Sequence, residues 1–165
     1  MDPAPRRIRA VYDCMVFLQA AARPAGPAAA CLQLAQHSLI ELHLSPTILH
    51  EIASVLSRPS VRARFPSLTG ELIANILTAL RDFSTFIEHV PPTLTLPRDP
   101  KDEPYLNLAA ACTADFLVTR DADLLHLPTS ASPEASLLRA HLPNLRILDP
   151  AAFLLAVRTG LPSQP

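Results

Sequence analysis

The chain has little glycine: three residues in 165, at positions 26, 70 and 160. A P-loop and a GxGxxG dinucleotide-binding turn each need two or more glycines within a few positions, so neither motif is present. The sequence also lacks a GxSxG nucleophile turn, and its six histidines show no HExxH spacing. These absences exclude the nucleotide-binding folds, the serine hydrolases and the zinc proteases that those motifs mark.

Cysteine is also scarce. The three cysteines (Cys14, Cys31 and Cys112) are an odd number and form no CxxC pair, which excludes a disulfide framework and a structural zinc site. No uninterrupted apolar stretch reaches the 18 residues that a membrane helix needs, and Asp13 interrupts the segment that might otherwise resemble a signal peptide. We therefore expect a soluble, cytoplasmic protein that does not bind membranes.

An excess of basic charge is missing too. Lysine and arginine total 14 against 15 acidic residues, so a nucleic-acid partner would have to be bound by local groups. Hydrophobic residues make up 49% of the chain and charged residues 18%, which is typical of a compact globular protein. We expect one domain over residues 1–165, with a core from about 8 to 157 and short disordered tails.

Short apolar strands alternate with helices along the sequence. Strands are predicted at 8–12, 40–45, 116–119 and 145–148. The predicted helices cover 28–38, 46–57, about 69–87, 105–114, 136–142 and 150–157, with a short turn or helix at 122–127, an arginine-bearing link after 57 and a loop at 128–136. This alternation predicts an α/β fold of three layers, α/β/α, around a parallel sheet.

Acidic residues are concentrated near the predicted strand ends. Six of the 15 fall between positions 99 and 123: Asp99, Asp102, Glu103, Asp115, Asp121 and Asp123. Asp13 and Asp121 follow predicted strands, and the carboxyl ends of parallel strands share one edge of the sheet. Each acid alone also has a structural explanation as a helix cap, a turn former or, for Glu51, a solvated residue on a helix flank.

Crowded carboxylates in a partly desolvated crevice raise one another's pKa, and a divalent cation removes that penalty. Ligands that are all oxygen suit Mg²⁺ or Mn²⁺, and such a site can activate water for in-line attack on a phosphodiester. A haloacid-dehalogenase-type phosphatase would need DxD after the first strand, where this chain has Asp13-Cys14-Met15. The pattern therefore favours a metal-dependent phosphodiesterase.

Three segments resemble the PIN-domain family, in particular the toxins of type II toxin–antitoxin systems. They are VYDCMVFLQAA, LSPTILHEIASVLSRPSVRARF, and RDPKDEPYLNLA followed by FLVTRDADLL, within a likeness that covers roughly residues 8–157. The resemblance implies a Mg²⁺- or Mn²⁺-dependent endoribonuclease that leaves a 3′-hydroxyl and a 5′-phosphate, a cognate antitoxin protein, and a homodimer. One departure is Met15, where many family members carry asparagine.

The resemblance also implies site residues. Asp13, Glu51, Asp102 and Asp121 correspond to the catalytic and metal-binding carboxylates, Asp123 is a fifth candidate, and Glu103 competes with Asp102. The candidate RNA-binding residues are Arg58, Arg62, Arg64, Arg98, Lys101 and Arg120. Two alternatives remain open: an interaction module of the same fold that has lost catalysis, and a metal-dependent nuclease that acts on DNA.

Overall fold

The computed structural model describes residues 3–160, so the predicted tail at 161–165 and the first two residues of the predicted amino-terminal tail lie outside the described residues. The strands are β1 (Arg9–Tyr12), β2 (Glu41–Leu44), β3 (Thr85–Phe86), β4 (Phe116–Val118) and β5 (Arg146–Leu148). The helices are α1 (Cys14–Ala22), α2 (Pro27–Gln36), α3 (Pro46–Leu56), α4 (Pro59–Arg64), α5 (Gly70–Phe83), α6 (Glu103–Cys112), α7 (Ala122–His126), α8 (Pro133–His141) and α9 (Pro150–Gly160).

The five strands form one sheet in the order β3-β2-β1-β4-β5, and every neighbouring pair is parallel. Parallel neighbours need long crossover connections, and here helices supply them. The predicted α/β fold with a parallel sheet between helical layers is confirmed. Within residues 3–160, no helix is long and apolar enough to cross a membrane.

Two residues of β1 show how the sheet separates the helical layers. The Tyr12 hydroxyl donates a 2.8 Å hydrogen bond to the Cys31 carbonyl on α2, whereas the Arg9 guanidinium donates one of 3.0 Å to the Cys112 carbonyl at the end of α6. Residues three apart in a strand point to opposite faces. Helices α2 and α6 therefore cover opposite faces of the sheet.

Three local predictions were wrong. The helix predicted for 69–87 ends at Phe83, because Ser84 is extended and the chain then adds the edge strand β3 beside β2. A two-residue strand is too short to be distinguished from a continued helical pattern. The link after residue 57 contains α4, and the loop predicted at 128–136 contains the first turn of α8, which Ser132 caps.

Asp115 lies at the amino end of β4, away from the strand ends where the other acids were expected to meet. Its carboxylate accepts hydrogen bonds from the Arg9 amide at 2.9 Å and from the Arg6 guanidinium at 2.7 Å. Asp115 therefore joins the start of β1 to the start of β4.

The closing helix α9 is joined to the first strand by aromatic contacts. The Phe153 ring is fully buried, with its centroid 5.7 Å from that of Tyr12 and 5.2 Å from that of Phe116. Both pairs are close to edge-on, which is a favourable arrangement for aromatic rings. Helix α9 therefore completes the core on the face that α2 also covers.

We predict that Phe153→Ala lowers the free energy of unfolding by about 3–5 kcal/mol, because it opens a cavity between α9 and the sheet beside Tyr12 and Phe116. Leu155→Ala on the same helix is the matched control, since Leu155 is 64% exposed, and it should change stability by less than about 0.5 kcal/mol. Urea denaturation measures both. Equal effects of the two substitutions would contradict the packing described for α9.

Candidate functional site

The order of strands reverses between β1 and β4. Strand β1 pairs with β2 on one side and with β4 on the other, and Tyr12 lies opposite Val118 at the ends of the pair. In open parallel sheets, the crevice for ligands forms outside the carboxyl ends of the strands at such a reversal. The next residues along the two strands are Asp13 and Thr119, so their side chains meet at this crevice.

Asp13 is buried, with 7% of its surface exposed. Its Oδ1 accepts a 2.7 Å hydrogen bond from the Met15 amide, which caps α1, and its Oδ2 accepts one of 2.6 Å from the Thr119 hydroxyl. The expectation of a helix cap therefore accounts for only one of the two oxygens. The other oxygen is bound by Thr119, which follows the neighbouring strand β4.

Thr119 connects two of the predicted site residues. Its hydroxyl donates to Asp13 and accepts a 3.0 Å hydrogen bond from the Asp121 amide. The Asp121 carboxylate in turn accepts from the Asp123 amide at 2.8 Å and caps α7. We did not predict Thr119 from the sequence, although a hydroxyl residue that ends an apolar strand just before Arg120-Asp121 is a recognisable signal.

Asp102 is the carboxylate whose ionisation the site disturbs. It is 7% exposed and makes no capping hydrogen bond to α6. Its pKa is raised to about 6, chiefly by burial and then by the charges of Asp121, Asp99 and Asp13, while Lys101 acts in the opposite direction. Asp13, Asp102 and Asp121 are therefore close enough for their charges to interact.

Glu51 is fixed on α3 by hydrogen bonds to both carboxylate oxygens. Oε2 accepts from the Tyr105 hydroxyl at 2.7 Å, and Oε1 accepts from the Cys14 thiol at 3.6 Å. Burial raises the pKa of Cys14 to about 12 and the pKa of Tyr105 well above its usual range, so both groups keep their protons at neutral pH. Because Cys14 directly follows Asp13, Glu51 lies beside the β1 end of the site.

Of the two remaining acidic candidates, Asp123 shares a pocket with Asp102, whereas Glu103 lines a different one. The Glu103 carboxylate accepts a 2.6 Å hydrogen bond from the Leu96 amide and faces a separate pocket that includes Ser45 and Asn107. Asp123 is exposed and lines an acidic pocket that also contains Asp102. The geometry therefore favours Asp102 over Glu103 as the acid that joins Asp13 and Asp121.

The predicted RNA-binding residues are divided between several surfaces. Arg64 and Arg120 line one groove, together with Met15 and with Arg23, which we had not predicted. Arg98 lines the acidic pocket, and Lys101 lies near Asp102. The remaining two, Arg58 and Arg62, are exposed at α4.

A family model described as "PIN domain" matches residues 9–123, which is more than half of the chain. The chain belongs to the PIN domain family. The matched region contains the four predicted catalytic carboxylates, and PIN domains are generally metal-dependent nucleases. No curated protein matches this PIN domain in the comparison with characterised proteins.

The donor chemistry of this PIN domain fits a hard divalent cation. The carboxylates of Asp13, Asp102 and Asp121 offer oxygen only, and the raised pKa of Asp102 reflects burial first and then repulsion by neighbouring acids, both of which a cation would offset. Among residues 3–160, however, no three side chains of the carboxylate, imidazole or thiol type lie close enough to hold one ion as they stand. Ion binding would therefore draw the carboxylates closer together.

We predict that Asp102→Asn stabilises the metal-free protein by about 1–3 kcal/mol at pH 7 to 8. The folded pKa of about 6 lies above the ordinary value of 3.8, so the native state binds more protons than the unfolded state between these values. Stability is therefore lost as pH rises through this window, and asparagine avoids that loss. Thermal denaturation in EDTA from pH 4 to pH 8 should show the advantage of the variant shrinking towards pH 4.

The matched control for Asp102→Asn is Asp82→Asn, which makes the same change at an exposed position on α5. This control should leave the pH dependence of stability unchanged. An Asp102→Asn variant whose stability followed that of wild type at every pH would contradict the electrostatic description of the site.

We predict that Thr119→Val lowers the free energy of unfolding by about 1–3 kcal/mol. The substitution removes the hydroxyl that donates to buried Asp13 and accepts from the Asp121 amide, so both groups lose a hydrogen-bond partner. Valine has nearly the same shape, so packing contributes little to the loss. Thr119→Ser retains the hydroxyl and should recover most of the stability in urea denaturation. A loss of the same size in both variants would indicate packing rather than hydrogen bonding.

Proposed function

We propose that this PIN domain is a Mg²⁺- or Mn²⁺-dependent endoribonuclease and the toxin of a toxin–antitoxin pair, acting in the cytoplasm. The observation that carries the proposal is that Thr119 links Asp13 and Asp121 at the strand reversal, while burial and then the charges of Asp121, Asp99 and Asp13 raise the pKa of Asp102. The raised pKa supports a metal site because a cation would offset the repulsion. Its ligands would be Asp13, Asp102 and Asp121, with Glu51 beside them.

The protein groups have distinct parts in the proposed reaction. A bound divalent ion supplies an activated water and stabilises the charge that develops on the phosphate. Asp13 is oriented by the Thr119 hydroxyl and the Met15 amide, so it is preorganised as a ligand. The Tyr105 hydroxyl fixes Glu51, which is proposed to orient a water at the edge of the site.

Asp123 and Glu103 have lesser parts in this proposal. Asp123 is exposed beside Asp102 in the acidic pocket, where it can contribute through water as an outer carboxylate. Glu103 is engaged by the Leu96 amide and is proposed to act in folding rather than in metal binding. In the proposed cleavage, the oxygen of water bonds to phosphorus and the P–O3′ bond breaks, which leaves a 3′-hydroxyl and a 5′-phosphate.

The proposed partners are RNA as substrate, a cognate antitoxin protein as inhibitor, and a second copy of the chain. The substrate is supported by the family and by the arginines near the site, including Arg64 and Arg120. The antitoxin and the homodimer rest on the resemblance to toxins of this family and stay predictions. Size-exclusion chromatography with light scattering tests the dimer.

We predict that purified protein cleaves a fluorescent single-stranded RNA in Mn²⁺ or Mg²⁺ and fails to do so in EDTA. Asp13→Asn and Asp121→Asn should each lower the cleavage rate by about 100-fold or more, because each removes a ligand charge from the ion. The matched control is Glu103→Gln, which keeps the acceptor for the Leu96 amide and should cleave at nearly the wild-type rate. The 5′-phosphate ends of the products can be identified by mass spectrometry.

The outcome that would overturn the proposal is cleavage that persists in the Asp13→Asn/Asp121→Asn double variant, since it would mark a contaminating nuclease. A second measurement separates an inactive interaction module from a selective nuclease. Mn²⁺ at about 100 times its Kd should stabilise the wild-type fold by about 2.7 kcal/mol and leave the double variant unaffected. No cleavage of several RNAs, together with no stabilisation by Mn²⁺, would favour the interaction module.

A further inference from the structure

A groove lies beside the acidic site, since its lining includes Met15, two residues after Asp13, and Arg120, next to Asp121. Its floor is one face of α1, including Met15 and Leu18, and its walls carry Arg23, Arg64 and Arg120. These arginines come from distant parts of the sequence, namely the end of α1, the end of α4 and the link between β4 and α7. We refer to this surface as the arginine groove.

The arginines of this groove are available to a ligand. All three are exposed, and in the described part of the chain none of their guanidinium groups forms an ion pair. Arg64 lies over the Phe65 ring, with 5.5 Å between its Cζ and the ring centroid, which leaves its N–H donors unused. The groove lining within residues 3–160 includes no carboxylate.

The surfaces on the two sides of the site therefore have opposite charge. The acidic pocket has one arginine, Arg98, against four carboxylates, whereas the arginine groove has three arginines and, among residues 3–160, no carboxylate. A polyanion that enters the site would be repelled on the first side and attracted on the second. The charge distribution thus favours a nucleic-acid strand that leaves the site through the arginine groove rather than through the acidic pocket.

The apolar floor explains how a strand could be held as well as attracted. Met15 is 41% exposed, although the Met15 amide donates a hydrogen bond to Asp13 Oδ1. A thioether is polarisable and makes favourable contacts with the face or edge of an aromatic ring. A nucleobase placed on Met15 and Leu18 would bring its phosphates towards the arginines on the groove walls.

We propose that the arginine groove binds the single-stranded RNA next to the cleaved phosphate, with Arg23, Arg64 and Arg120 on its phosphates and Met15 under a base. This inference rests on the function proposed above, because it takes RNA as the substrate. It adds Arg23 and Met15 to the substrate-binding residues and assigns the acidic pocket to the side that the strand avoids. Met15 thereby gains a role of its own in the position where many relatives carry asparagine.

The experiment is fluorescence anisotropy of a short labelled single-stranded RNA in EDTA, with salt varied from about 50 to 200 mM. Each of Arg23→Gln, Arg64→Gln and Arg120→Gln should weaken binding by roughly 3- to 10-fold and reduce the slope of log K against log salt by about 0.7. The triple variant should reduce the slope by about 2. Arg81→Gln, at an exposed arginine on α5, is the matched control and should change neither quantity.

Two further variants separate charge from shape. Arg120→Lys keeps the charge and should retain the wild-type slope. Met15→Ala should weaken binding roughly fourfold or more at an unchanged slope, because it removes an apolar contact and no charge. Circular dichroism of every variant checks that the fold is intact.

The groove proposal is overturned if the folded arginine variants bind RNA with the affinity and slope of wild type. Its failure is distinct from failure of the nuclease proposal, because binding is measured in EDTA and cleavage in Mn²⁺. A protein that cleaves RNA normally while the triple variant keeps its salt slope would refute the groove alone. A protein that cleaves nothing, but binds RNA through the arginines, would support the groove and count against the nuclease.

Discussion

The hydrogen bond from Thr119 to Asp13 is the contact on which the candidate site depends. Parallel pairing of β1 with β4 brings the two residues side by side, and the 2.6 Å bond fixes a buried carboxylate. The same hydroxyl receives the Asp121 amide, so one side chain sets the positions of two acids from distant parts of the sequence. The geometry of the site is thus a consequence of sheet topology.

The sequence was sufficient for the fold class and for the acids that follow strands. Asp13 and Asp121 could be assigned to one edge of the sheet because parallel strands share their carboxyl ends. The preference for Asp102 over Glu103 came from the structure, because the sequence does not show which of two adjacent side chains at a helix start points towards Asp13 and Asp121. Arg23 was missed for a similar reason: its proximity to Arg64 and Arg120 depends on how α1, α4 and the strand ends pack.

Stability and function make opposite demands on this region. Burial and neighbouring charges raise the pKa of Asp102, which means that its ionised form is unfavourable in the folded protein. Such a carboxylate is a poor choice for a purely structural position, where asparagine would avoid the conflict. Its presence beside Asp13 and Asp121 is understandable if a cation completes the arrangement.

The contact of Phe153 with Tyr12 has a consequence for how the protein is made. These rings are separated by 141 positions in the chain. Strand β4, which leads into Thr119 and so helps to order Asp13, lies nearer in sequence to Phe153 than to Tyr12. Residues emerge from the ribosome in sequence order, so β1 cannot acquire these neighbours until β4 and α9 have been translated. The acidic centre therefore cannot assemble on the nascent polypeptide until β4 and Thr119 have left the ribosome.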